Sequence, residues 1–235
     1  MPPSKRHHYI PRYYLKQFEN GDGAMWRRDQ ETNAITRGNN AHFGYKKHWN
    51  TLANPPEGYE PDWAEKRLAE VDKFASEIVF RILSGELPKD LRALACAISF
   101  MTNNQPRLKR ELEENSADEV EGWSVNHWLI ARLQASIDVW QKYIPTNYCV
   151  QVIDERDQES RFLTSSNPLV EFDNQPTKFF PLSSRHCLIL LYDKQFVGAD
   201  PHFQVCDKEI VKGVNRRTVE NSWQYVYSNK PDFTE

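Results

Sequence analysis

The chain reads as an α+β fold: an N-terminal helix and hairpin, central helices, then a C-terminal, mostly antiparallel sheet with a closing helix. Three observations predict it. Between residues 60 and 143 apolar side chains recur every three or four positions, the spacing of helices that bury one face. After Pro145 the period shortens towards two, as strands require. From about Lys208 to Tyr227 the helical spacing returns.

Each element has its own signal. Pro11 with Tyr14, Leu15 and Phe18 opens a helix, and Asn20-Gly21 stops it. Ala24 to Arg28 and Ala34 to Arg37 flank Gln30-Glu31-Thr32-Asn33, the pattern of a hairpin. Asn54-Pro55-Pro56-Glu57-Gly58 is a loop, after which the character changes. Ala64, Leu68, Val71, Ala75, Ile78 and Ile82 form one stripe of a long helix closed by Gly85. Pro88 opens a second helix, apolar from Leu91 to Met101 and interrupted at Pro106. A third runs from about Ala117 to Tyr143, with Trp128, Leu129, Leu133, Ile137 and Trp140 inward. Tyr148–Ile153 and Arg161–Thr164 are strands, and His186–Tyr192 is apolar throughout, as a strand covered on both faces would be. The final helix buries Ile210, Val214, Val219, Trp223 and Val226.

With 235 residues, 39% hydrophobic and 27% charged, the chain is long enough for one self-sufficient domain spanning 1–235. Within it, a basic segment of residues 1–53 packs on a body of residues 60–235. No apolar run reaches the roughly 18 residues of a membrane helix, and the first residues lack the apolar stretch of a secretory signal. Cys96, Cys149, Cys187 and Cys206 are widely spaced and read as reduced, buried thiols. These features place the chain in the cytoplasm. With only nine Gly, no phosphate-cradling loop and no His-Glu-x-x-His, nucleotide-binding folds of the doubly wound type and zinc proteases are excluded.

Charge points to a partner. Residues 1–50 carry nine Lys or Arg against four acids, a balance of +5. The whole chain carries −3, so the remainder carries −8. Tyr9, Tyr13, Tyr14, Trp26, Tyr45 and Trp49 lie among those cations, the mixture that phosphate contact and base stacking use. Arg6, Arg12, Lys16, Arg27 and Arg28 are the candidate nucleic-acid contacts; alternatively the segment docks on its own acidic body.

His7-His8-Tyr9-Ile10-Pro11 is the most distinctive string. Two imidazoles at a helix entrance, with Arg6, Arg12 and Lys16 nearby, suit attack on a phosphodiester, as general base or as ligands of a divalent metal. The alternative is a capping or core role for one His and a solvated position for the other. The string is similar to the core of His-Asn-His nucleases over five residues; Asn33 and His42 have the spacing of the downstream partners but sit in an apparent turn and a strand broken by Gly38, and no good strand precedes His7, so that fold is not assigned. The sequence over 7–18 resembles more widely an uncharacterised bacterial family, domain of unknown function 4238, which opens on His-His-Tyr-Ile-Pro. Matching pieces follow in order: the Trp26–Thr36 hairpin, Pro106-Arg107, Phe162 to Leu169, Phe180 to Ser183, and Val214-Asn215 to Ser228. The resemblance implies a bacterial or phage origin and brings no established activity. Two departures stand out. The family's Ser-Asp-Asn-Pro is Ser165-Ser166-Asn167-Pro168 here, and its Arg-Thr-Pro is Asn104-Gln105-Pro106. Either the missing Asp was a metal ligand, or Ser166 replaces it as a turn cap.

The catalytic candidates are therefore His7, His8 and Asn167, with His7 and His8 also the metal candidates. Asn103, Asn104, Ser165 and Ser166 are further cleft candidates. Glu65 and Asp72 face one way from the first long helix, but Lys66, Glu70 and Lys73 beside them suggest an ordinary solvated surface. Three functions follow: a nuclease-like, metal-dependent enzyme acting in phage defence or as a toxin, a non-catalytic nucleic-acid binder, or a protein-interaction domain.

Overall fold

The computed structural model describes residues 6–52, 55–106, 125–142, 147–172, 177–192, 195, 197 and 199–233. Strand β1 (Arg6–His8) leads through Pro11 into a short helix, α1 (Arg12–Leu15), extended by a 3₁₀ turn (Lys16–Phe18). Strands β2 (Met25–Asp29) and β3 (Ile35–Gly38) form the expected hairpin, with Met25 opposite Gly38. Strand β4 (Tyr45–Lys47) returns to pair with β1. Helices α2 (Trp63–Leu83), α3 (Arg92–Asn103) and α4 (Val125–Lys142) make the helical middle. The 117–124 part of the expected third helix, and the side chains of Trp128, Ile137 and Trp140, lie outside the described residues.

Strands β5 (Asn147–Val152), β6 (Thr164–Ser165), β7 (Val170–Glu171), β8 (Thr177–Pro181), β9 (His186–Leu191) and β10 (His202–Val205) come next. Helix α5 (Lys208–Glu220) and strand β11 (Tyr225–Ser228) follow. The larger sheet has the order β10-β5-β9-β8-β7, antiparallel except for the β10/β5 pair. A second has the order β3-β2-β11-β6.

Two expectations fail locally. The closing helix stops at Glu220, because Asn221 and Ser222 turn the chain and Tyr225–Ser228 pairs with β2 and β6. Trp223 and Val226 are therefore not on that helix. The two histidines stand on a strand, not at a helix entrance, since the chain stays extended until Pro11.

The core explains the apolar run at β9. Leu188 and Leu190 face a cluster shared with Tyr14 and Phe18 of the first turns, Val79 of α2 and Leu94 of α3. Cys187, on the opposite face, joins Val211 and Val214 of α5. The remaining helical contact, Leu68, Phe100, Leu129 and Leu133, knits α2, α3 and α4.

Gly44 holds the entry to α1. Its carbonyl accepts from the backbone N–H groups of Tyr9 (2.9 Å) and Ile10 (3.2 Å). Its φ of +68° suits only glycine well, and a Cβ would come 2.8 Å from Leu15 Cδ1 and 3.2 Å from Ile10 O. Gly44→Ala is expected to cost about 1–3 kcal/mol, read as a lower thermal midpoint. An unchanged midpoint would show that the turn relaxes freely.

Candidate acid–base cavity at the N-terminal turn

Successive residues of a strand point to opposite faces, and β1 sends its two imidazoles apart. His7 goes inward and is 2% exposed. Its Nδ1 accepts the backbone N–H of Asn50 at 2.9 Å, which places the ring proton on Nε2. The Asn50 side chain donates to Glu65 Oε2 at 2.9 Å and accepts from Asn104 Nδ2 at 3.2 Å. Trp49 Nε1 donates to the Asn104 carbonyl at 3.2 Å. Glu65 Oε2 lies 3.8 Å from His7 Nδ1. His7 and Asn104 thus form a buried scaffold that ties β1, the 49–50 turn, α2 and α3.

His8 faces the other way. Its ring tilts against Tyr45, centroids 5.8 Å apart, and its buried Nε2 has no hydrogen-bond partner among the described residues. The ring borders a cavity of about 210 Å³. Arg12 and Tyr13 from the following turn, Glu65 and Asp72 from α2, and Leu68 and Phe100 line the rest. The Tyr13 hydroxyl is a second buried polar atom without a partner. Both residues line the one cavity, where water or a ligand would pair these atoms.

Electrostatics sharpen the reading. Burial, helped by the Arg12 charge, lowers the His8 pKa to about 4, so the imidazole is neutral at physiological pH. Burial beside the Glu65 charge raises Asp72 to about 7. Burial holds the Tyr13 phenol well above its ordinary value, Asp72 adding to it. Such perturbed groups in one cleft are what acid–base sites contain. The i, i+7 spacing of Glu65 and Asp72 was the available signal. Their charged neighbours point to solvent, and Glu65 stays partly exposed, whereas Tyr13 of the α1 turn covers Asp72.

The other candidates lie elsewhere. Asn103 donates to Ser99 Oγ at 3.2 Å and borders a separate cavity of about 540 Å³. Ser165 Oγ donates to the Asn167 carbonyl at 2.7 Å and accepts its N–H at 3.1 Å. Ser166 Oγ accepts the N–H groups of Gln224 (3.3 Å) and Tyr225 (3.4 Å), a capping role at the start of β11. Asn167 Oδ1 is buried and unpartnered, but none of 165–168 lines the cavity at His8. The distant strings meet instead in the core: Tyr14 OH donates to the Pro181 carbonyl at 2.7 Å and lies 2.7 Å from Thr164 Oγ1. Asn33 sits in the β2–β3 turn at φ 56°, and neither it nor His42 borders His8.

The cations divide similarly. Arg27 stacks on Tyr225 and Phe43 (4.3 and 4.9 Å) and Arg28 on Phe233 (5.2 Å), which engages both with the second sheet. Arg12 Nε donates to Asn40 Oδ1 at 3.0 Å, and Arg12 and Lys16 are exposed. Arg6 lies directly opposite Lys47 in the β1–β4 ribbon, both exposed. The Arg6 guanidinium lies over the Tyr45 ring, 5.0 Å from its centroid.

Among the described residues no group of three or more His, Cys, Asp or Glu side chains could hold a metal ion, and no helix is long and apolar enough to cross a membrane. Fold and site define an α+β protein in which the turn after a two-stranded ribbon and helix α2 enclose a cavity lined by His8, Arg12, Tyr13, Glu65 and Asp72. The chain belongs to the family described as Protein of unknown function (DUF4238), whose model matches residues 6–115 and 93–232. No curated protein and no solved structure matches it.

Proposed function

We propose that the protein is a nuclease-like enzyme that binds nucleic acid across the β1–β4 ribbon and acts on it at the His8 cavity. The observation that carries this is the buried His8 Nε2, without a hydrogen-bond partner among the described residues, in a cavity that Arg12 also lines. Exposed Arg12 and Lys16 extend a basic surface from the turn after β1, and Arg6 and Lys47 are exposed on the ribbon. A setting in phage defence or as a toxin belongs to the same proposal, with growth arrest on expression as its test.

The direct test is purified protein on DNA and RNA, in magnesium, in manganese and in chelator. His8→Ala is expected to cut the rate about a hundredfold or more while folding normally. Full cleavage by His8→Ala would remove His8 from the chemistry. A second reading, a non-catalytic binder, is favoured by the same ribbon alone. Binding is then expected to weaken steeply with salt, and Arg6→Glu with Lys16→Glu to flatten that dependence. Binding that ignores salt would sink both readings.

A further inference from the structure

We infer that the cavity cleaves RNA rather than DNA by acid–base chemistry, with Glu65 accepting the proton of a ribose 2′-hydroxyl and Asp72 donating one to the departing 5′-oxygen. This rests on the nuclease reading and names its substrate and its reacting groups.

The geometry comes from α2. Residues seven apart share a face and stand about 10 Å apart along the axis, so the two carboxyl groups reach into one cavity from different ends. That separation leaves space for a phosphorus between base and acid. Glu65 is held on one side, where Asn50 binds Oε2 with His7 3.8 Å away, and it lines the cavity. Asp72 lies two turns further on. It is faced by Glu65 from its own helix, by Tyr13 from α1 and by Cys96 from α3, with Arg12 and His8 on the cavity's far wall. Burial and the Glu65 charge keep its proton on up to about pH 7. That assigns the acid to Asp72 and leaves the base to Glu65, the other carboxylate lining the cavity. Tyr13, Arg12 and the neutral His8 ring through Nε2–H are the hydrogen-bond donors for the non-bridging phosphate oxygens.

Size and chemistry select the substrate. About 210 Å³ is roughly seven waters' share of liquid volume and below the roughly 300–1,000 Å³ of ordinary small-molecule pockets. One ribose–phosphate unit enters while the polymer runs along the ribbon. RNA carries its nucleophile beside the phosphorus, so orientation alone supplies much of the rate, and DNA lacks that hydroxyl. The O2′–P bond forms and the P–O5′ bond breaks. The 2′ proton goes to Glu65 and the Asp72 proton goes to O5′. The products are a 2′,3′-cyclic phosphate and a free 5′-hydroxyl, and solvent returns both carboxyl groups to their starting states.

The test uses the full chain on a DNA oligonucleotide containing one ribonucleotide, on the all-DNA equivalent and on RNA, in chelator, with product ends read by mass spectrometry. Expected are cleavage only after ribonucleotides, cyclic phosphate ends, and a rate that falls about tenfold per pH unit above pH 7. Asp72→Asn and Glu65→Gln, each checked by thermal melting, are expected to lose about a hundredfold or more. The falling limb is expected to be absent from the residual Asp72→Asn activity. Ends bearing a 3′-hydroxyl, equal cleavage of all-DNA, or an absolute metal requirement would overturn this inference and leave the nuclease reading standing. No cleavage of any of the three polymers, in chelator or with magnesium or manganese added, would overturn both.

Discussion

Tyr14→Ala is expected to lower the thermal midpoint by about 6–20 °C. The ring is fully buried, stacked on Phe180 with centroids 5.0 Å apart and edge-on to Phe18 at 5.4 Å. Removing a buried aromatic side chain costs about 3–5 kcal/mol, and a chain of this size moves about 2–4 °C per kcal/mol. Tyr14→Phe keeps the ring but deprives the Pro181 carbonyl and Thr164 of the phenol, at about 1–3 kcal/mol. Calorimetry should therefore rank Ala well below Phe, and Phe below the parent. If Ala and Phe proved equally mild, the hydroxyl would not join the strings of this family as the structure has it.

The second large effect is in the pH dependence of stability. Asp72 keeps its proton to about pH 7 in the folded chain, against 3.8 unfolded. Its contribution is therefore complete below pH 3.8 and is lost as pH rises through 7. His8 does the opposite. Its folded value of about 4 lies below 6.5, so its contribution is present above pH 6.5 and lost as pH falls through 4. Each tenfold change in proton affinity is worth about 1.4 kcal/mol, so each group bears on the order of 3 kcal/mol across this window. The two slopes oppose between pH 4 and 7. Measured relative to the parent by denaturant titration, Asp72→Asn should lose stability on acidification, where His8 is no longer balanced. His8→Gln should lose it on alkalisation from pH 4 to 7. Parallel curves for parent and variants would show that neither group is perturbed by burial.

Much of the fold was legible because its signals are local. The α2 stripe needs only a 3.6-residue period, and the β2–β3 hairpin only a turn between two short runs. What was not legible depends on distant partners. β1 is three residues long and becomes a strand only by meeting Lys46 and its neighbours. Trp223 and Val226 continue the spacing of Val219 by coincidence, and β2 decides that Tyr225–Ser228 is extended. The candidate site divides in the same way. The string around His7 and His8 could be singled out by composition, but which imidazole faces a ligand follows from strand alternation. Asp72 could not be ranked, because the α1 turn that buries it lies far away in the chain. Asn104 was noticed for its place before Pro106, yet its partner Asn50 is a contact no spacing reveals.

The pairing of β2 with β11 has a consequence for how the protein is made. In the four-stranded sheet β2 is an inner strand, with β3 on one side and β11 on the other. At about 5–20 residues per second, the ribosome releases β11 roughly 10–40 s after β2. Throughout that interval the hairpin carries an open row of backbone donors and acceptors beside Met25 and Trp26. A nascent chain in this state invites capture by other strands, so its yield should depend on chaperones that shield edges. Chains truncated before Tyr225 should keep that open edge permanently and collect in the insoluble fraction.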